Sequence, residues 1–217
     1  MVKAVLSAMP LHFAQALRIP KGVIKHIDQM RRSFLWKGNK TCRGINCLVN
    51  WEKVCMLRQN GGMGIINIQI QNEALLAKWL WKAKQETNGY WSQTMMRLYG
   101  TSDPDQLGAD DSHSFFIKSL RSLSDLIKAG SVVDSPAITR WRFSTTGLFT
   151  TASAYKIMHD TGIFDIYWKR LWEVKAPPKV KIFFWLLIRN RILTQHILAR
   201  RDCAVITGCK LCANFFF

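Results

Sequence analysis

Apolar residues recur along this chain at helical spacing far more often than at strand spacing. Val23, Ile24, Ile27, Met30, Phe34 and Leu35 fall three and four apart, which predicts an amphipathic helix over 21–36. Its other face carries Lys25, His26, Arg31, Arg32 and Lys37. Ala74, Leu75, Ala77, Leu80, Trp81 and Ala83 predict a second helix, with Asn67 or Asn72 as its cap. Trp79 and Trp81 diverge by about 200° on that helix, so only one of them faces a core. Phe116, Leu120, Leu123 and Ile127 predict a helix over 115–128, which Gly130 to Ser135 break. Arg140-Trp141-Arg142-Phe143 alternates as a strand does. With the turn Thr145-Thr146-Gly147 and the run Leu148-Phe149-Thr150, it predicts a β-hairpin. Thr151 or Ser153 caps a helix over 152–159. A short helix over 168–172 follows. Pro177 and Pro178 then open a helix whose residues to Ile188 are apolar nearly all round, which predicts burial on several sides. Thr194 caps a final helix over 195–201.

The fold class this predicts is mainly α with a small β-hairpin (α+β). Charge divides it further. Residues 1–100 hold 15 basic and 4 acidic residues, 101–134 hold 3 and 6, and 135–217 hold 13 and 4. Two small helical modules, 1–100 and 135–217, therefore flank an acidic linker with a short helix, 101–134. The formal net charge is +17, which self-repels in a compact state and suits a polyanionic partner, RNA or DNA. No run reaches the roughly 20 apolar residues of a membrane span. The first ten residues imitate a secretory signal, but the apolar run is short and Pro10 interrupts it, so they read as structure. A nuclear or cytoplasmic protein with reduced thiols is expected, not a secreted one.

Two motifs carry less than they first promise. Asn60-Gly61-Gly62-Met63-Gly64 lacks the spacing of a phosphate loop and reads as a turn needing positive φ. No small-molecule substrate site follows from it. Asp110-Asp111 sits among Gly, Ser and His rather than in an apolar hairpin, and reads as a solvated pair, not a metal-binding catalytic centre. The nucleic-acid contacts expected instead are basic residues beside aromatic rings, because cations meet phosphate and rings stack on bases. The candidates for phosphate are Arg31, Arg32, Lys37, Lys78, Lys82, Arg140, Arg142, Lys175, Lys179, Lys181, Arg200 and Arg201. Those for stacking are Trp36, Trp81, Trp141 and Trp172.

Cys209-Lys210-Leu211-Cys212 has the spacing that points two thiolates at one metal ion. Zn²⁺ takes four ligands, and Ala213 to Phe217 add neither Cys nor His. His196 and Cys203 upstream would complete a set only at an unusual spacing. Cys209 and Cys212 are therefore expected to be two ligands of an incomplete zinc site.

A resemblance joins these pieces. Ile19-Pro20-Lys21-Gly22, Arg31-Arg32-Ser33-Phe34-Leu35-Trp36-Lys37-Gly38, Val49-Asn50-Trp51, Gly61-Gly62-Met63-Gly64-Ile65 and Asn72 to Trp81 are similar to the segment just downstream of the polymerase domain in plant LINE-type (non-LTR) retrotransposon reverse transcriptases. Ser153-Ala154-Tyr155, Leu171 to Lys181, Trp185-Leu186, Arg191 to Thr194, Leu198 to Arg201 and Cys209 to Cys212 resemble the zinc-binding domain that follows in those proteins. The resemblance implies that the catalytic palm of an RNA-directed DNA polymerase lies upstream of this pattern, so the chain itself is not expected to be an enzyme. It also implies that the zinc motif continues past Cys212 to a His and a further Cys, where Asn214 to Phe217 stand here; a truncated domain is expected. Two functions follow as expectations. One is a non-catalytic remnant that binds RNA or DNA. The other is a structural or interaction domain that packs on a polymerase thumb.

Overall fold

The computed structural model describes residues 2–38, 47–85, 89–101, 114–135, 138–160, 162, 165–192 and 194. These are mainly helical, with a small antiparallel pair of strands. In chain order the helices are α1 (Leu11–Ala14), α2 (Lys21–Lys37), α3 (Trp51–Cys55), α4 (Ile68–Gln85), α5 (Tyr90–Tyr99), α6 (Phe115–Arg121), α7 (Ser124–Gly130), α8 (Thr151–His159), α9 (Ile166–Glu173) and α10 (Pro178–Ile188). The strands are β1 (Ser131–Ser135) and β2 (Ile138–Trp141). The chain forms two compact units, each assembled from two separated stretches: Met1–Arg31 with Ile65–Thr161, and Arg32–Gly64 with Gly162–Phe217. The helices α6 and α7, which charge alone assigned to a linker, belong to the first unit. Asp110 and Asp111 lie outside the described residues.

The first unit is organised around α4. Asn67 starts it by accepting from Ile70 N at 3.2 Å, the expected cap. Leu76, Ala77, Leu80 and Trp81 are buried on its inner face against Ile117, Leu120, Ile127, Trp141 and Ala154. Asn72 is not a cap but a buried strut within the helix. Its amide donates to Ala14 O and Leu17 O and its oxygen accepts from Ile19 N, so it holds the chain break before Pro20. An Asn tolerates this burial because all its polar atoms are paired. Near the start of the chain Ser7 is buried and its hydroxyl donates to Val2 O at 2.8 Å.

Three local expectations change. The helix over 115–128 is two helices, because Leu123 leaves helical geometry at φ −108° and ψ 2°. The strand partner of β2 is β1 upstream, with Ser131 opposite Trp141, rather than Leu148-Phe149-Thr150 downstream. Phe149 is recruited instead by aromatic packing. Its ring lies 5.6 Å from that of Trp81 and 4.8 Å from that of Trp141, and Thr150 goes on to cap α8. Burial of large rings outweighs the few hydrogen bonds a three-residue strand would gain. Finally, α10 is buried only at Trp185. Phe183, Phe184, Leu187 and Ile188 are exposed, because the described part of this unit covers one side of the helix.

Candidate nucleic-acid interface

In the second unit the glycine turn is the anchor. Gly61 and Gly64 have φ +85° and +62°, the positive values its sequence demands. Gly62 N donates to Leu57 O at 2.9 Å and Met63 N to Val54 O at 3.1 Å, so the turn folds back on α3. A Cβ on Gly62 would overlap the backbone carbonyl of Met56, which explains a glycine there independently of φ. This geometry presents Gly61 O outward as an acceptor. Trp185 Nε1 donates to it at 2.8 Å, and the Arg189 guanidinium donates to it as well.

Helical spacing then builds a ladder of rings and cations. Trp168 and Trp172 stand one turn apart on α9, and Trp185 and Arg189 one turn apart on α10 and its cap. The Arg189 guanidinium carbon lies 4.9 Å from the Trp168 ring and 4.9 Å from the Trp185 ring, so the cation is held between two π-faces. Arg58 covers the Trp172 ring at 5.2 Å. Burial, and then the charge of Arg191, lower the pKa of Arg189. It stays cationic because the ordinary guanidinium value is so far above neutrality. Asn190 closes α10 in the left-handed region at φ 53°, a conformation Asn tolerates at a helix end. Lys181 Nζ donates to Trp172 O at 2.8 Å and satisfies a carbonyl near the end of α9. Lys175, on the connection between the two helices, and Lys179, in the first turn of α10, are exposed.

The sequence candidates separate clearly on this framework. Lys175 and Lys179 are exposed, and Lys181 and Trp172 are half-buried within the ladder. Lys37 is exposed, and Arg32 and Trp36 are half-buried, in the same unit. In the first unit, Lys78, Arg140 and Arg142 are exposed and Lys82 is half-buried. Arg31, Trp81 and Trp141 are corrected. Arg31 is wholly buried, paired with Asp28 at 2.7 Å and donating to Ser7 Oγ and Ile66 O, so it braces the fold rather than meeting phosphate. Trp141 is 1% exposed, and its Nε1 donates to Ser153 Oγ at 2.9 Å. Trp81 packs edge-on against it at 5.3 Å. Neither ring is open to a base. Of the two tryptophans that diverge on α4, Trp79 is the half-exposed one, and its Nε1 donates to Gln15 O at 2.7 Å. Arg200, Arg201, Cys209 and Cys212 lie outside the described residues. Arg58, Trp168, Trp185 and Arg189 were missed. The one-turn spacing of Trp168 with Trp172, and of Trp185 with Arg189, is the signal that marks three of them.

Residues 149–215 match the family described as zinc-binding in reverse transcriptase. A protein of Arabidopsis thaliana, provisionally named ribonuclease H protein At1g65750, is 23% identical over 294 aligned positions, covering 98% of this chain and 47% of the relative. The chain thus spans about half the length of that curated relative. No solved structure matches it significantly. Together these similarities support a retroelement-derived, nucleic-acid-related protein, as the resemblance implied.

The family description brings zinc into question. Among the described residues no three His, Cys, Asp or Glu side chains converge. In sequence, Cys209 and Cys212 supply two of the four donors Zn²⁺ takes. Cys209 and Cys212, like His196 and Cys203, lie outside the described residues. Among the described residues no helix is long and apolar enough to cross a membrane.

Proposed function

We propose that this protein binds single-stranded RNA or DNA without cleaving or copying it. The ladder of α9 and α10 is the core of its interface. The observation that carries this reading is the fixed alternation of Trp168, Arg189 and Trp185, with Arg58 on Trp172, beside the solvent-facing Lys175 and Lys179. Of these rings Trp168 and Trp172 are half-buried and offer ring surface, whereas Trp185 is buried and holds Arg189 in place; locked side chains of this kind bind without a large ordering cost. Lysines at the rim add the sequence-independent attraction to phosphate. Arg32 and Lys37 add basic positions within this unit, and the other unit carries its own in Lys78, Lys82, Arg140 and Arg142. Arg200 and Arg201 supply further charge in the sequence.

A salt-titrated binding assay with single-stranded RNA, single-stranded DNA and duplex tests this. Binding that weakens steeply with salt and differs little between sequences is expected. Affinity unchanged between about 50 and 200 mM salt rules the reading out. Incubation with an RNA–DNA hybrid, which the relative's name makes the pertinent substrate, is expected to leave the hybrid intact.

A second reading, as a structural domain that packs on a polymerase thumb, is favoured by the exposed Phe183, Phe184, Leu187 and Ile188 of α10. Contiguous exposed apolar surface marks an interaction face. Self-association relieved by Phe183→Ser and Phe184→Ser, with nucleic-acid binding absent throughout, would favour that reading over the first.

A further inference from the structure

From the geometry of α6 and α7 we infer a second phosphate-binding site, in the stretch where sequence averaging shows net negative charge. It takes a backbone phosphate of a single nucleic-acid strand. This deepens the proposed function and rests on that reading. Lys118, Arg121 and Ser122 lie three and four positions apart on one face of α6 and its cap. Ser124 and Lys128 lie four apart on α7. On one continuous helix Lys118 and Lys128 would stand about 15 Å apart along the axis and point in different directions. The break at Leu123 folds the two faces around one cavity. All five residues line it, and its volume is about 430 Å³.

The lining is cationic and hydroxylic, the donor chemistry that suits a phosphate. Asp125, on the same turn of α7 as Ser124, does not line it. Arg18 reaches the rim, donating to Ser122 Oγ at 3.0 Å while its other end approaches Glu73 at 3.8 Å. Ser122 Oγ in turn donates to Ser119 O at 2.8 Å, which fixes the hydroxyl. Each lysine carries three donors and the arginine five. The cavity opens on a mainly polar wall, unlike the apolar pocket a drug-like ligand or cofactor ring would need. The acidic residues that make 101–134 net negative stand mostly at 103–111, upstream of both helices. The sequence average thus conceals a basic site.

The test compares the full chain with two triple variants in the salt-titrated assay. One is Lys118→Ala, Arg121→Ala, Lys128→Ala. The control, Lys25→Ala, Lys53→Ala, Lys156→Ala, removes the same charge from exposed positions elsewhere. Loss of three phosphate contacts from a single strand lowers the slope of log K against log salt by about 2. The pocket variant is expected to show that fall with about tenfold weaker binding, and the control a fall of less than half as much. Equal falls in both variants overturn the site and leave the proposed function standing. Absence of any binding by the unaltered chain removes both. Lysine acetylation of the unaltered chain, read by mass spectrometry, does not depend on the variants folding. Protection of Lys118 and Lys128 by an oligonucleotide supports the site. Protection by inorganic phosphate but not by the oligonucleotide overturns the assignment to a nucleic-acid backbone.

Discussion

The two units use the same residue types for opposite ends. In the first, Trp81, Trp141 and Phe149 pack ring against ring in a dry core, and the nearby cations Arg140 and Arg142 stay outside it. In the second, Trp168, Trp172 and Trp185 are interleaved with Arg58 and Arg189, and two of these three rings remain half-exposed. The difference lies in what surrounds each ring. Helices α4, α6, α7 and α8 enclose the first cluster on several sides, so water is excluded and a charge would have no solvation. The second cluster forms on one turn and two helices, where a guanidinium fills space a third apolar layer would otherwise take and keeps partial contact with solvent. Trp81 and Trp141 are thus core residues in the first unit, whereas in the second Trp168 and Trp172 stay partly displayed over a buried Trp185.

Removing a ring should separate the two most sharply. Trp141→Ala is expected to cost about 3–5 kcal/mol in urea unfolding, since it empties a closed site. Trp172→Ala should cost only about 1–2 kcal/mol while weakening oligonucleotide binding severalfold. Equal stability costs would erase the distinction between core and surface clusters.

Adding volume probes the same contrast. A Cβ at Gly130 would overlap the Trp141 ring, and the ring has nowhere to go. Gly130→Ala is expected to destabilise by about 1–3 kcal/mol, with hydrogen exchange accelerating in α4 and α8. Unchanged exchange in those helices would show the first core to be looser than its packing indicates.

A smaller effect is expected from the cation of the ladder. Arg189→Met keeps bulk but loses both π-face contacts and the bond to Gly61 O, for about 1–2 kcal/mol. Arg189→Lys should recover only part of this, because an ammonium cannot lie flat between two rings while donating to the carbonyl. Full recovery by lysine would reduce the ladder to a simple point charge. The smallest expected loss is that of Thr150→Ala. It removes the cap of α8, whose Oγ1 accepts from Ser153 N at 3.1 Å, and should cost about 1 kcal/mol. Since α8 packs on α4, that loss should appear in the first unit's exchange rates and leave α9 and α10 unaffected.

Much of this was legible in the sequence, and the illegible part has one cause. Spacing of apolar residues identified α2 and α4, a capping residue pointed to α8, proline placed the start of α10, and the glycine run required the positive-φ turn that anchors the ladder. Those are local constraints, settled by backbone sterics and one face of one helix. Composition set the strong positive charge, and the motifs between Ser153 and Cys212 carried the resemblance to a reverse-transcriptase zinc-binding region. Which Trp and Arg residues face solvent was not local. Arg31 is buried because Ser7 and Ile66 O converge on it from distant positions, beside Asp28 one turn away on its own helix, and Phe149 leaves its expected strand for two rings contributed by α4 and β2. Lys118 and Lys128 share a cavity only because the chain breaks at Leu123. The sequence by itself determined α2, α4, α8 and the start of α10, the turn and the charge. Tertiary structure alone decided which charges and rings are displayed, because burial depends on neighbours brought together from far along the chain.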